Sequence, residues 1–444
     1  MASFSRFLLA CTVAGVLGIV AQPLGAWAQA TSTDSNLQGQ INTKNDQIAE
    51  IQQEIQRIQG QLDSTSKEKQ TLQGTVAELD LSIKKVTADI SLTQTRIGRT
   101  DLEIRLLSGS IATTTDKISD QRAGIAETLR SLNLKDGQSQ AVDILGGETL
   151  SSFFDEVAAL GAVRDELGNQ IEDLTSLKTT LVTNKNTAQN KRSELSAFKS
   201  QLAGQQKALS ATRAEKNQLL AQTKNQESSY QALLAEKRAQ ERQFEQELLS
   251  MQNELNLHVN VSALPNPGSG VLSWPIANTY PGACPAPGTK YVSCITQYFG
   301  NTDFATKNPQ IYNGKGHNAI DLRASPGTPI RAARGAIVRG TGNTDLQRGC
   351  YSFGKWILLE HDNGLSTLYA HLSVINVGNG QRIGGGEVIG YSGSTGYATG
   401  PHLHFTVYAT DGVEIVLFSR SINCKNVSIP IADPSAYLNP LSYL

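Results

Sequence analysis

The sequence predicts a multidomain protein in which a long α-helical coiled-coil hairpin precedes a mostly antiparallel β-sheet domain. Apolar residues recur at alternating spacings of three and four through the first part of the chain, and no proline occurs between Pro23 and Pro265. Beyond Pro265 the apolar runs are short and are separated by glycine, proline and asparagine, a pattern typical of strands and tight turns. This change of pattern predicts the boundary between the two parts.

The amino terminus has the layout of a secretory signal peptide. Arg6 precedes an apolar run at residues 7–20, and Ala28-Gln29-Ala30 offers a small-x-small cleavage site. We therefore expect export to the periplasm, the cell envelope or the extracellular space, with cleavage near Ala30. An uncleaved membrane anchor is the alternative, although the apolar run is short for a membrane span and ends close to Pro23.

Two apolar seams of nearly equal length follow the signal segment. One lies in residues 31–132 and the other in residues 160–257, and both carry Gln, Lys, Glu, Asp and Thr on their other faces. Equal arms predict an antiparallel hairpin, and a dimer remains an alternative. Polar residues at some seam positions predict bends or partial opening, as at Thr65, Lys69, Thr93, Lys191 and Lys216.

Residues 133–159 interrupt the seams and are expected to form the tip of the hairpin. They contain Gly137, Gly146 and Gly147 between two short amphipathic stretches. An apolar patch at such a tip either docks another protein or packs into a small helical cap, and both readings stay open. The predicted organisation is a signal peptide, a first arm, a tip, a second arm, a linker and a β-domain, at residues 1–30, 31–132, 133–159, 160–257, 258–270 and 271–444.

The β-domain concentrates histidines beside a carboxylate. His317 is followed four positions later by Asp321, and the segments Tyr369-Ala370-His371-Leu372 and His402-Leu403-His404 come later in the chain. Catalytic zinc takes three protein ligands from such side chains and keeps a fourth position for water. Five residues of these types in a strand-rich setting therefore indicate a zinc site that also has histidines for proton transfer.

These motifs, in this order and with a glycine-rich segment at residues 390–401, resemble the lysostaphin/LytM-type zinc metallopeptidases, peptidase family M23. The resemblance covers about residues 271–444. It implies a β-sheet peptidase domain that binds Zn²⁺ through His317, Asp321 and His404, and it implies His371 and His402 as the catalytic pair. It also implies that residues 390–401 line the cleft for peptidoglycan peptides. The helical region is similar to that of EnvC-like murein hydrolase regulators.

The chemistry of zinc assigns the same roles to these residues. Bound zinc lowers the pKa of its water from about 15.7 toward ~7, so that hydroxide is available at neutral pH. His402 is then suited to accept the proton of the water, and His371 to stabilise the oxyanion. A structural role at a strand end is the alternative for His371. His361 and His258 are predicted to be structural.

Four cysteines lie in the β-domain, and Cys11 lies in the signal segment. Outside the cytosol they are expected to form two disulfides. Zinc binding by cysteine is the competing hypothesis, but no Cys-x-x-Cys pair is present. Three pairings are possible, and we favour Cys284 with Cys294 and Cys350 with Cys424.

The sequence therefore predicts an exported zinc-dependent endopeptidase that hydrolyses stem or cross-bridge peptides of peptidoglycan. Its coiled coil would position or inhibit the enzyme, with an envelope or division protein as a possible partner at the tip. A non-catalytic regulator that activates another cell-wall hydrolase is the alternative, and an inert structural spacer is a third. The 39 basic and 40 acidic residues form no basic block, which argues against nucleic acid as a partner.

Overall fold

The structure of the protein is a computed structural model. It describes residues 25–65, 71–136, 150–254, 259, 264–285, 291–302, 305–306, 316–398, 400–419 and 421–444. Most of the predicted signal peptide, residues 137–149 of the predicted tip, Cys11 and His258 lie outside these ranges. Among the helices of these ranges, none has both the length and the apolarity that a membrane span requires.

The first part is helical, as the heptad seams predict, and the described residues contain four long helices. They are α1 (Gly25–Thr65), α2 (Leu72–Asp136), α3 (Leu150–Thr223) and α4 (Glu227–Glu254). Helix α1 packs on α2, and α2 packs on α3. Helices α2 and α3 run antiparallel, because Lys216 is paired with Asp80 at 2.5 Å while Lys191 is paired with Glu103 at 2.8 Å.

The first seam is divided between two helices that fold back on each other, instead of forming one uninterrupted arm over residues 31–132. Helix α1 ends at Thr65 and α2 begins at Leu72. Residues 63–71 contain no apolar side chain, so this stretch has nothing to bury on a helical face. Arg99 of α2 donates a hydrogen bond to Asn45 of α1 at 3.3 Å, which joins the two helices side by side.

The second seam is also divided, at the turn between α3 and α4. Lys224 and Asn225 have φ of 48° and 55°, in the left-handed region that ends a helix. The break lets α4 turn onto the β-domain, where Phe244 is buried with its ring centroid 5.7 Å from that of Phe418. The last helix therefore contributes to the β-domain core, whereas the sequence predicts that residues 160–257 belong to the coil alone.

The β-domain contains short strands in the places where apolar runs alternate with glycine. The strands are β1 (Thr279–Ala283), β2 (Ser293–Gln297), β3 (Ile320–Arg323), β4 (Pro329–Arg331), β5 (Ala336–Asn343), β6 (Lys355–His361), β7 (Leu365–Ile375), β8 (Arg382–Ile383), β9 (Val388–Ser392), β10 (His402–Ala409), β11 (Val413–Leu417), β12 (Ser428–Ala432) and β13 (Tyr437–Leu438).

In the described residues, eleven of these strands form one sheet with the path β1-β2-β3-β10-β7-β6-β5-β8. Strand β9 pairs with β4 and β7, β13 pairs with β10, and β11 pairs separately with β12. All of these pairs are antiparallel except β1 with β2. The mostly antiparallel fold class is thus confirmed, and the path places β3, β10 and β7 side by side.

Side chains predicted to be structural in the β-domain are indeed used for packing and cross-linking. His361 is buried, with Nδ1 3.1 Å from the oxygen of Gly335 and Nε2 2.9 Å from Oγ1 of Thr367. The cysteines form the two disulfides that the sequence analysis favours, Cys284–Cys294 and Cys350–Cys424.

Candidate metal centre and active site

Strand pairing brings two of the predicted ligands together at the centre of the sheet. On the β10–β3 ladder His404 lies directly opposite Asp321, and on the β10–β7 ladder it lies opposite Ala370. Directly opposed residues of antiparallel strands point to the same face with Cβ atoms about 5 Å apart. Asp321 Oδ1 and His404 Nδ1 are 3.1 Å apart.

His317 reaches the same carboxylate from the segment before β3. Its main chain exchanges two hydrogen bonds with Gly300, and its Nδ1 lies 3.1 Å from the oxygen of Tyr298. Since a carbonyl oxygen only accepts, Nδ1 carries the proton, and Nε2 lies 3.4 Å from Asp321 Oδ1.

The three predicted ligands fit zinc. One ligand atom from each of His317, Asp321 and His404 lies within 4.8 Å of the others. The second ring nitrogen of each histidine also has a partner, because His404 Nε2 lies 3.2 Å from Thr406 Oγ1 and His317 uses Tyr298. Such outer contacts orient metal-binding imidazoles, and a His/Asp/His set is of the type that catalytic zinc takes.

The electrostatics of the cluster favour an ionised Asp321 and a neutral His404. Burial opposes ionisation of Asp321, but His317, His402 and His404 outweigh it and hold the pKa of this carboxyl well below its usual value. Burial lowers the pKa of His404, so its ring is favoured in the neutral form. Metal coordination requires an ionised carboxylate and neutral imidazoles.

The two predicted catalytic histidines lie together beside the candidate metal ligands. The ring centroids of His371 and His402 are 4.6 Å apart, and His402 Nε2 is 3.7 Å from Asp321 Oδ1. The Nδ1 atom of His371 lies 2.9 Å from the oxygen of Thr395, and that of His402 lies 2.8 Å from the oxygen of Gly400. Both rings therefore carry a proton on Nδ1.

His371 has two features that a residue used only for packing rarely has. Its φ is 60°, in the left-handed region that costs a non-glycine residue energy, and strain of this kind concentrates at functional sites. Burial first, and then His402 and His404, hold the pKa of His371 well below its usual value. Its ring is thus favoured in the neutral form.

The glycine-rich segment forms a loop against this histidine pair. Gly396 has a φ of 71°, and a side chain there would overlap the main chain of Ser352 and Gly354. Thr395 fixes the loop further, because its Oγ1 donates to the oxygen of Leu372 at 2.8 Å. The loop therefore holds the carbonyl groups that orient His371 and His402.

Two residues near the site, Thr406 and Asp345, are not predicted from the sequence. Thr406 contacts His404 and follows it by two positions on β10, so the strand period of two could have revealed it. Asp345 accepts the N–H of Gly396 with both carboxylate oxygens, at 3.0 and 3.1 Å. No sequence pattern points to Asp345, since its partner lies 51 positions away.

Comparison with known proteins identifies this domain. Residues 315–415 match the family model described as Peptidase family M23. This domain belongs to peptidase family M23. The match contains all five residues of the predicted zinc and catalytic set.

Characterised relatives match the M23 domain over a limited length. DD-carboxypeptidase/endopeptidase Mpg of Neisseria meningitidis serogroup B is 42% identical over 123 residues, 28% of this chain and 25% of that protein. Peptidoglycan DD-endopeptidase ShyA of Vibrio cholerae is 34% identical over 26% of this chain and 24% of that protein. Glycyl-glycine endopeptidase ALE-1 of Staphylococcus capitis is 43% identical over 22% of this chain and 26% of that protein. The matched part spans about a quarter of each relative.

A solved structure also matches the M23 domain. The catalytic domain of lysostaphin from Staphylococcus simulans is 32% identical, over 26% of this chain and 80% of that one, with a TM-score of 0.23.

Proposed function

We propose that the protein is an exported zinc-dependent endopeptidase that hydrolyses peptide bonds in the stem or cross-bridge peptides of peptidoglycan. The convergence of His317, Asp321 and His404 within 4.8 Å, with His371 and His402 beside them, carries the proposal. A non-catalytic regulator of another hydrolase would have no chemical need for all five side chains. A spacer with an inert head would not need them either.

The relatives support peptidoglycan peptides as the class of substrate. ShyA is a peptidoglycan DD-endopeptidase, whereas ALE-1 is a glycyl-glycine endopeptidase. These two names specify different peptide bonds. We therefore propose the class of substrate and leave the individual bond to product analysis.

The metal-binding residues would set up the attack on the peptide carbonyl. His317, Asp321 and His404 would hold the zinc ion, which when bound lowers the pKa of water toward ~7 and polarises a carbonyl group. Tyr298 and Thr406 would keep the two imidazoles turned toward the ion through their contacts with the opposite ring nitrogens.

The histidine pair would move the protons. With Nδ1–H donating to a main-chain oxygen, a neutral ring offers Nε2 as an acceptor. We assign His402 as the group that accepts the proton of the attacking water and delivers it to the leaving amine. His371 is the second member of the proposed catalytic pair, and to stabilise the oxyanion its Nε2 would need a proton from solvent, because the proton on Nδ1 is bonded to the Thr395 oxygen.

Measurements of zinc content and of hydrolytic activity distinguish the metal ligands from the catalytic residues. We expect His404→Ala to lose both zinc and peptidoglycan hydrolysis, because it removes a metal ligand. We expect His402→Ala to retain stoichiometric zinc but to lose activity by about 100-fold or more, as for removal of a general base. Hydrolysis by His402→Ala at the wild-type rate would remove this residue from the mechanism, and a folded wild-type chain that holds zinc without hydrolysis would favour the regulator.

We further propose that helices α1, α2 and α3, which we call the arm, restrain the active site. Helix α3 lies against the segment that leads into the site loop, where Tyr391 is completely buried and its hydroxyl donates to the oxygen of Gln201 at 3.0 Å. Ser394, within the loop, donates a hydrogen bond to Glu215 of α3. Movement of the arm would therefore change the packing of the loop that orients the two histidines.

The arm offers a route for control from a distance. Its far end is the predicted tip, where an envelope or division protein is the proposed partner. Binding there would release the arm from Tyr391 and Ser394, and cell-wall peptides would then enter more readily. Export is part of this proposal, and amino-terminal sequencing of the protein recovered from the cell envelope tests it, with a start near Thr31 as the expected result.

A further inference from the structure

One peptide group connects an acidic side chain to a catalytic histidine. The carbonyl of Thr395 accepts the hydrogen bond from His371 Nδ1 at 2.9 Å. The N–H on the other end of the same peptide bond, that of Gly396, donates to Asp345 Oδ1 and Oδ2 at 3.0 and 3.1 Å. Since a peptide bond is planar and resonance-coupled, its two polar ends respond together.

We propose that Asp345 is a positioning residue for His371, acting through the Thr395–Gly396 peptide group. The carboxylate fixes the orientation of this group, and its negative charge polarises the group so that the Thr395 oxygen becomes a stronger acceptor. His371 is thereby held with its proton on Nδ1 and with Nε2 directed to the site. This inference rests on the proposed function, because His371 has a catalytic role only in that scheme.

The rest of the loop is fixed independently of Asp345. Thr395 Oγ1 donates to the oxygen of Leu372 and accepts the N–H of Lys355, at 2.8 and 3.0 Å. The N–H of Tyr397 donates to the oxygen of Ser352 at 2.9 Å. Loss of Asp345 therefore removes one contact from a loop that retains several others.

Charges from two elements act on Asp345. Burial raises the pKa of Asp345, while the N–H of Gly396 and the charges of Lys237 on α4 and Lys355 on β6 partly offset this effect. Lys237 also stands over the ring of Tyr351, 5.0 Å from its centroid. The carboxylate thus lies in the field of a lysine of α4 as well as in the environment of His371.

Asp345 is exposed, so its substitution is not expected to unfold the domain. The test uses the zinc-loaded full chain with Asp345→Ala and Asp345→Asn. Asp411→Ala is the matched control, an exposed aspartate in the turn after β10. The readouts are kcat and KM for soluble peptidoglycan fragments and the ring ¹⁵N resonances of His371, assigned by comparison with His371→Gln.

We expect Asp345→Ala to lower kcat about 10-fold with KM within about twofold, as for loss of an outer contact to a site histidine. Asp345→Asn, which keeps an acceptor oxygen but no charge, should fall between Asp345→Ala and the wild type. The His371 Nδ1 resonance should move in Asp345→Ala and not in Asp411→Ala. A lower kcat with unchanged His371 resonances would overturn the proposal, and so would wild-type kinetics in Asp345→Ala.

The resonance measurement does not require hydrolysis. If the protein cleaves no peptidoglycan, the proposed function fails, but a selective change at His371 in Asp345→Ala still establishes the contact through the peptide group. If hydrolysis is normal and the His371 resonances are insensitive to residue 345, the proposed function stands and the positioning role fails.

Discussion

The Tyr391 hydroxyl donates a hydrogen bond to the main-chain oxygen of Gln201 at 3.0 Å, which ties the strand before the site loop to the third helix. The helix approaches so closely because residue 204 is glycine, and a Cβ there would overlap the Tyr391 ring. Val86 of α2 makes a second contact of this kind with the β-domain, because a Cβ at Gly327 would overlap the Val86 side chain. Docking of the arm thus depends on two glycines.

Substitution of Gly204 by leucine should release the arm. The new side chain cannot fit against Tyr391, so we expect faster proteolysis of the helices and peptidoglycan hydrolysis several-fold faster than in the wild type. Gly168→Leu is the matched control, because Gly168 lies in the same helix with no atom near its Cβ position. Equal hydrolysis rates in an undocked Gly204→Leu and in Gly168→Leu would contradict restraint by the arm.

Glu78 on α2 should make stability depend on pH. Burial first, and then the charge of Glu215, raise its pKa to about 7. The folded state therefore binds a proton more tightly than the unfolded state, so stability falls as the pH rises from about 4.5 to 7. Glu78→Gln should stabilise the protein by about 1–2 kcal/mol at pH 8 and by little at pH 4.5.

Thermal unfolding of Glu78→Gln and wild type across this pH range checks the prediction. Glu172→Gln, an exposed carboxylate on α3, is the control and should leave the melting temperature unchanged at every pH. A stabilisation by Glu78→Gln that is the same at pH 4.5 and pH 8 would show that the charge is not its cause.

The two disulfides should differ in their contribution to stability. Cys350–Cys424 closes a separation of 74 residues and Cys284–Cys294 one of 10 residues. On the chain-entropy model, their removal should cost about 4 and about 3 kcal/mol, respectively. Urea denaturation of the two double Cys→Ser variants checks the order, and a larger loss for the shorter loop would contradict it.

His361 should contribute to the stability of the fold and not to zinc binding. It is buried and bonded to Gly335 and Thr367, and β7 separates its strand β6 from β10, which carries His404. Replacement by alanine should cost about 1–3 kcal/mol, because the buried partners lose their hydrogen bonds. The folded variant should bind one zinc ion per chain, as measured by elemental analysis, and loss of zinc at full stability would reverse this assignment.

The sequence was most informative where local pattern and chemistry coincide. The strand period of two and the spacing of His402 and His404 predicted side chains on one face, and β10 indeed holds both beside Asp321. The helix breaks were less clear, because a run of polar residues within a heptad pattern is compatible with a bend as well as with a reversal. In the structure α1 ends at Thr65, and α2, which begins at Leu72, packs back on it.

Long-range contacts could not be predicted from the sequence. Gly204 is one of several glycines in its helix, and only the approach of Tyr391, nearly 200 positions later, gives it a role. Asp345 likewise acquires its role from Gly396. Neither pair produces a periodicity or a motif in the sequence. The docking of the arm and the link from Asp345 to His371 through the Thr395–Gly396 peptide group are therefore seen only in the structure.

Mass spectrometry of fragments released from purified peptidoglycans tests the central claim most directly. The full chain and Gly204→Leu would be incubated with the polymers, with and without a zinc chelator, and zinc would then be restored. We predict defined peptide-bond products that disappear with the chelator and return with zinc. Absence of products from folded, zinc-loaded chains of both kinds, or hydrolysis that continues without zinc, would contradict a zinc-dependent endopeptidase.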